Sequence, residues 1–302
     1  MLSVCIPIYN RDLRDTVSRL ALQAAALPQP IEIVCIDDHS EESFHQLNSQ
    51  LAHKAQYIRL PENIGRARIR NLFLQYARYD HLLFLDCDSL IPDNFLANYL
   101  ALIPQNPSVI CGGRIYDVHD DDPAHHLRYR YGVCCESKDA ATRSAQPYKS
   151  FLTNNFVVRR EVLQQIPFDE RISRYGHEDT LFGYRLMQQG VPILHIDNPI
   201  VNGDVEDNAE FLRKTIDGVK SLAAIFQWIG GDPQFCEQVS LLRFYLKIKR
   251  FRLAWTVTAV HRLIGKPLER TFLSGRHVSM TLFSFYKLAI LIDTLSSSSA
   301  AR

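Results

Sequence analysis

The chain has 302 residues, 46% hydrophobic and 22% charged, a composition that folds and buries a sizeable core and excludes a disordered chain. Its formal net charge of +1 excludes a uniformly polyanion-binding protein but hides an asymmetry. Between Leu241 and Ile290, ten Lys/Arg stand against one acid, Glu269, so the remainder of the chain is net acidic and the two ends face different partners.

Leu2–Ile8 is an apolar run of strand length, stopped by Pro7 and Asn10. Thr16–Ala26 has apolar Val17, Leu20, Ala21 and Ala24 at helical spacing. Ile31–Ile36 reads as a buried parallel strand ending at Asp37-Asp38. A helix over Phe44–Ala52 and a short strand over Tyr57–Leu60 follow. Arg66–Tyr76 is a helix after the turn Asn63-Ile64-Gly65, and His81–Leu85 a buried strand ending at Asp86. This alternation predicts a doubly wound sheet with ligands at the carboxyl ends of its strands.

Asn94–Ile103 then reads as a helix and Val109–Ile115 as one strand, while Tyr116–Ser150 reads as irregular insertion. Phe151–Val158 is a strand with the polar centre Thr153-Asn154-Asn155. Glu178–Gln189 is a helix closed by Gly190 and Pro192, and Pro192–Ile196 a strand. From Asn208 onward the pattern is helical. No run reaches ~18 uninterrupted apolar residues, and no basic segment precedes Leu2–Tyr9, so neither a membrane span nor a signal peptide is expected. Seven cysteines without zinc spacing, Cys5 and Cys35 inside apolar runs, predict reduced buried thiols in a cytoplasmic protein. His119, His125 and His126 flank the acidic run Asp120-Asp121-Asp122 and read as a solvated loop rather than a zinc site.

Three segments carry chemistry. Asp86-Cys87-Asp88 follows a strand; in extended backbone residues two apart face the same way, so both carboxylates would share a hard cation such as Mg2+ or Mn2+. Asp37-Asp38-His39-Ser40 closes an earlier strand, and its Ser40 also suits a helix cap. The Asn63–Asn71 segment opens a helix with Arg66, Arg68 and Arg70 and no acid in its first turns, which points to an anionic ligand.

With Val4–Asn10 at their head, these segments in this order resemble the family 2 glycosyltransferases over roughly residues 1–215. The resemblance implies the GT-A fold, an α/β architecture with a mainly parallel sheet flanked by helices, here followed by a helical extension over 216–302. It implies an inverting enzyme using a nucleotide-diphospho-sugar, a UDP-sugar by preference, with Mn2+ or Mg2+. By position, Pro7, Ile8, Tyr9 and Asp38 would hold the nucleoside, with Asn63 and Gly65 in the same donor site. Arg70 would approach the diphosphate, Asp86 the sugar or ribose, and Asp88 the metal. Glu178-Asp179 matches the family's acidic pair, Asp179 as base and Glu178 orienting the acceptor; Asn154 and Asn155 are placed on the acceptor side. Many relatives carry a metal-binding histidine where this chain has Asn202, and His195 reads as a core histidine. The acceptor implied is a glycan or lipid-linked intermediate of cell-surface polysaccharide. A sugar nucleotidyltransferase would need a glycine-rich triphosphate loop after the first strand, and Asn10–Arg14 offers none. A non-catalytic partner with the same fold, scaffolding a membrane assembly, stays open because of Asn202.

Leu241–Leu295 interleaves its basic residues with Phe244, Phe251, Trp255, Phe272 and Phe283. Basic amphipathic helices of this kind lie on anionic membrane surfaces, here the inner face of the cell membrane. No nucleic-acid motif accompanies the charge. A plain helical subdomain packed through its apolar face is the alternative.

Overall fold

The computed structural model describes residues 1–116, 122–172, 175–203 and 205–300. In chain order the first elements are β1 (Leu2–Ile8), α1 (Arg14–Ala25), β2 (Ile31–Asp37), α2 (Glu42–Ser49), β3 (Gln56–Arg59), α3 (Arg66–Tyr76) and β4 (His81–Leu85). Next come β5 (Ser89–Leu90), α4 (Phe95–Leu100), β6 (Val109–Cys111), β7 (Arg114–Ile115), α5 (His126–Tyr131), α6 (Ala140–Ser144), β8 (Asn155–Arg159) and α7 (Arg160–Gln165). They are followed by α8 (Glu178–Gln188), β9 (Ile193–His195), β10 (Ile200–Asn202) and the helices α9 (Asn208–Trp228), α10 (Pro233–Gln238), α11 (Ser240–Arg250), α12 (Ala254–Ser274) and α13 (Met280–Ala300).

The chain divides into two compact units. One comprises Met1–Asp117, Ser137–Ser173 and Glu178–Asp204; the other Val118–Glu136, Arg174–His177 and Val205–Arg302. The division expected near residue 215 would cut α9, a continuous helix capped by the Asp207 carboxylate on the Glu210 amide. The second unit therefore starts upstream of that helix.

The first unit is built on a seven-stranded sheet ordered β3-β2-β1-β4-β8-β6-β9. β3, β2, β1 and β4 run parallel, β8 is antiparallel to both its neighbours, and β9 is parallel to β6. Successive side chains of a strand face opposite sides, and β1 shows the consequence. Leu2, Val4, Ile6 and Ile8 pack with Val17, Leu20 and Phe95 on one face, while Cys5 joins Ile69, Phe73 and Phe84 on the other.

A second sheet, β5-β10-β7, sits at the carboxyl end of β4. Its strands are two or three residues long, too short for an alternating pattern to mark them in the sequence. The segment expected as one strand, Val109–Ile115, is broken at Gly112-Gly113 into β6 and β7, which belong to different sheets. A Cβ on Gly112 would meet the Tyr99 hydroxyl at 2.2 Å, and one on Gly113, whose φ is +89°, would meet the Arg143 guanidinium at 2.1 Å. Only glycine lets the backbone pass there. The stretch expected to be irregular, Tyr116–Ser150, contains α5, a π-helical turn at Gly132–Glu136 and α6; His119, Asp120 and Asp121 lie outside the described residues. The strand expected from Phe151 begins only at Asn155.

The second unit is a helical bundle. Phe211 and Leu212 of α9, Leu268 and Phe272 of α12, and Phe283 and Tyr286 of α13 share one core with Leu127. Among the described residues no helix is long and apolar enough to cross a membrane.

Candidate active site

The carboxyl ends of β1, β2 and β4 carry the turns that the sequence singled out. At β1 the chain leaves through an exposed Tyr9 and through Asn10 at φ +50°. The Asn10 amide donates to Ser40 Oγ at 2.9 Å and its side-chain oxygen accepts from the Glu41 amide. At β2, Asp37 is wholly buried and accepts from the Ser40 amide and from the Tyr57 hydroxyl. Asp38 accepts from the Ile64 amide at 2.7 Å and the Gly65 amide at 3.0 Å, and Asn63 donates its side-chain amide to the Asp38 carbonyl. Burial nonetheless raises the Asp38 carboxyl above its ordinary value. The geometry thus shows Asp38 holding the Asn63–Gly65 turn, with Gly65 at φ +83° opening α3.

Arg70 projects from α3 into the protein and is 1% exposed. Its guanidinium donates to Asp86 Oδ1 at 3.0 Å, lies 3.5 Å from Glu178 Oε1, and sits over the Phe168 ring. It therefore joins β4 to the start of α8, with its charge shared between two acids. The more exposed Arg66 also reaches Glu178, at 3.4 Å. Burial by itself would raise the Glu178 carboxyl, but Arg66 and Arg70 together hold it below the ordinary range. Asp179, the next residue, has the opposite fate: burial, and then the charge of Glu178, push it up to about 6. Its Oδ1 accepts from the Thr180 amide at 2.6 Å.

The paired carboxylates of Asp86 and Asp88 do not face a common cation. The Ser89 amide donates to the Asp86 carbonyl, closing a turn, so the backbone there is not extended and the two side chains diverge. Asp86 goes to Arg70, while Asp88 Oδ2 accepts from Arg114 Nη2 at 2.7 Å. Arg114 also donates to the Asn202 side-chain oxygen. The small sheet makes this possible: β10 pairs with β5 at Asn202–Ser89 and with β7 at Ile200–Arg114.

Residues 3–167, more than half of the chain, match the family model described as "Glycosyl transferase family 2". The chain belongs to glycosyl transferase family 2. It is 26% identical over 222 residues to a chondroitin synthase of Pasteurella multocida strain Pm70, covering 63% of this chain and 23% of the synthase. It thus spans less than a quarter of that protein. An uncharacterized glycosyltransferase of Bacillus subtilis strain 168, YfnE, is 26% identical over 291 residues, covering 76% of this chain and 74% of YfnE. Among solved structures, a mannosyltransferase of Pyrobaculum calidifontis, solved with GDP-Man and Mn2+, superposes with a TM-score of 0.60 at 15% identity. It covers 99% of this chain and 86% of that one. The GT-A fold expected from the motifs is therefore present, with a helical C-terminal region.

Two asparagines and a histidine of this family 2 glycosyltransferase have surroundings that the structure fixes. Asn155, expected on the acceptor side, is wholly buried: it accepts from the Tyr99 hydroxyl at 2.6 Å and donates to the Gly113 and Asn198 carbonyls. Every polar group of its amide is engaged, so it clamps the Gly112-Gly113 break rather than facing a ligand. Asn154 differs, because its side-chain oxygen is buried without a hydrogen-bond partner among the described residues. His195 is a core histidine as expected, its Nδ1 accepting from Arg143 and its Nε2 on the Pro147 carbonyl; burial lowers its pKa. It is not available to a metal.

Arg114 was not singled out from the sequence. The available signal was the Gly-Gly pair before it, which marks a chain that must turn sharply to present its next residue. A metal finds one suitable group here. Asp88 Oδ1 is buried with no hydrogen-bond partner among the described residues, so a hard cation suits it. No group of three or more His, Cys, Asp or Glu that could hold a metal comes together among the described residues.

Proposed function

We propose that this protein transfers a sugar, with inversion, from a nucleotide-diphospho-sugar to a hydroxyl of a glycan or lipid-linked acceptor in cell-surface polysaccharide synthesis. A UDP-sugar is the favoured donor. The observation that carries the reading is Asp179, a carboxyl that burial and the charge of Glu178 push up to about 6, beside Glu178, whose own charge is held by two arginines. Such a carboxylate is ionised at neutral pH and still basic enough to take a proton. In one displacement the acceptor oxygen attacks the anomeric carbon and Asp179 takes its proton. The bond from that carbon to the diphosphate breaks, and its electron pair leaves with the diphosphate.

Arg66, half exposed at the start of α3, is suited to the negative charge developing on that leaving group. Asp88 would hold a divalent cation, Mn2+ or Mg2+, adding positive charge at the diphosphate. Pro7–Tyr9 and the Asn63–Gly65 turn, held by Asp38, form the nucleoside side of the site. The names of relatives such as chondroitin synthase support polysaccharide chemistry. The test is a screen of nucleotide sugars for donor hydrolysis and transfer. Turnover of one or more, lost in Asp179→Asn, supports the reading. Binding without any turnover would favour the non-catalytic partner.

A second reading concerns where the protein works. Phe244, Phe251, Leu253, Trp255 and Leu263 are exposed among basic residues of α11 and α12. This composition suits peripheral contact with an anionic membrane from the cytoplasmic side.

A further inference from the structure

Resting on that reading of the donor site, we propose that Arg114 is the fixed counter-charge that neutralises Asp88 within it. Clamped between Asp88 and Asn202, it lets a nucleoside diphosphate keep measurable affinity when divalent cations are absent.

Three features lead here. The Arg114 guanidinium is a held group, its side chain only 9% exposed, bonded to Asp88 Oδ2 and the Asn202 side-chain oxygen and stacked 5.5 Å from the Tyr116 ring centre. Its backbone lies in β7, whose position follows from the glycine break and from pairing to β10. A guanidinium fixed in this way needs no reorganisation when an anion arrives. Finally, Asp88 alone would repel a diphosphate, whereas Asp88 with Arg114 presents no net charge.

The arrangement makes two demands with opposite signs. Removing the Arg114 charge should weaken the nucleoside diphosphate, since the electrostatic offset to Asp88 is lost. The same change leaves Asp88 without its partner and should strengthen its hold on a metal ion alone. A purely structural role for Arg114 would not move the two affinities in opposite directions.

The experiment uses the full chain in three forms: wild type, Arg114→Gln and Arg114→Lys. Calorimetry with UDP and with GDP is run in excess EDTA and in Mn2+, and Mn2+ alone is titrated by electron paramagnetic resonance. In EDTA the wild type should bind at least one diphosphate. Arg114→Gln should lose roughly 10- to 100-fold of that affinity while binding Mn2+ alone more tightly than wild type. Arg114→Lys should keep most of the nucleotide affinity. Wild-type binding that appears only with Mn2+ overturns the proposal, as do equal affinities in wild type and Arg114→Gln. If Arg114→Gln does not fold, the wild-type titration in EDTA decides alone. Absence of nucleotide binding even with Mn2+ would sink the donor-site reading itself.

Discussion

Two neighbouring acids, Glu178 and Asp179, show how placement sets chemistry. Glu178 is met by Arg66 and Arg70 and stays ionised; Asp179 receives little compensation for its burial and rises to about 6. If Asp179 is the base, the transfer rate should climb about tenfold per pH unit below that value and level off above it. Initial rates across pH 5–8 check this, and a flat profile would move the role elsewhere. Asp179→Asn should lower turnover by roughly 10²–10⁴-fold while leaving donor binding intact. The same substitution has a stability signature. A carboxyl whose folded pKa exceeds its unfolded value of about 3.9 costs the folded state stability as pH rises from there to about 6. Asparagine has no such cost, so the melting temperature of Asp179→Asn relative to wild type should rise across that window. Arg70 is a different case, a buried guanidinium between Asp86 and Glu178. Arg70→Met leaves Asp86 without its ion-pair partner and Glu178 with Arg66 alone, and should cost about 3–5 kcal/mol in urea denaturation.

At the scale of elements, the site depends on a strand that ends early. The sheet pairing of Val109–Cys111 stops at Gly112-Gly113, and the chain re-forms as β7 two residues later in another sheet. Asn155 secures the break from β8, and Arg143 fills the space that a Cβ on Gly113 would need. Arg143 cannot yield easily, because it donates to the Lys138, Gly112 and Ile196 carbonyls. Gly113→Ala therefore combines a left-handed backbone with a clash and should cost about 3 kcal/mol or more. Gly190 provides the control. It has a φ of +65° and nothing within 4 Å of an added Cβ, so Gly190→Ala should cost only about 1 kcal/mol. Equal losses in chemical denaturation would mean that backbone conformation, not the Arg143 contact, makes glycine necessary at 113.

For the molecule as a whole, the uneven charge acquires a shape. Of the basic residues counted toward the C terminus, Lys287 is turned into the bundle, its ammonium 4.6 Å from the Tyr131 ring centre, and burial lowers its pKa. It does not belong to a surface patch. Lys247, Lys249, Arg250 and Arg252 do, alongside the exposed Phe251, Leu253 and Trp255. Each basic residue near an anionic lipid surface contributes on the order of 1 kcal/mol. The full chain should therefore sediment with anionic vesicles and not with neutral ones, and lose that binding at high salt. Phe251→Ala with Trp255→Ala should weaken it further. Equal recovery on both vesicle types would return these helices to the role of a packed subdomain.

The order of motifs along residues 1–90 was enough to indicate the GT-A fold, because parallel strands read as apolar runs and their functional turns follow them directly. The acidic pair at the start of α8 was legible in the same way. Three things were not. The divergence of Asp86 and Asp88 depends on a single turn, which a strand-like motif does not announce. The contacts of Asn155 and Arg114 reach residues as far as 56 and 88 positions away in sequence. The extent of the helical unit depends on which segments pack together, and α5 joins it from the middle of the chain. Local pattern determines which residues can form an element; only tertiary pairing decides which charges meet, since that is a property of distances between elements that the chain order does not contain.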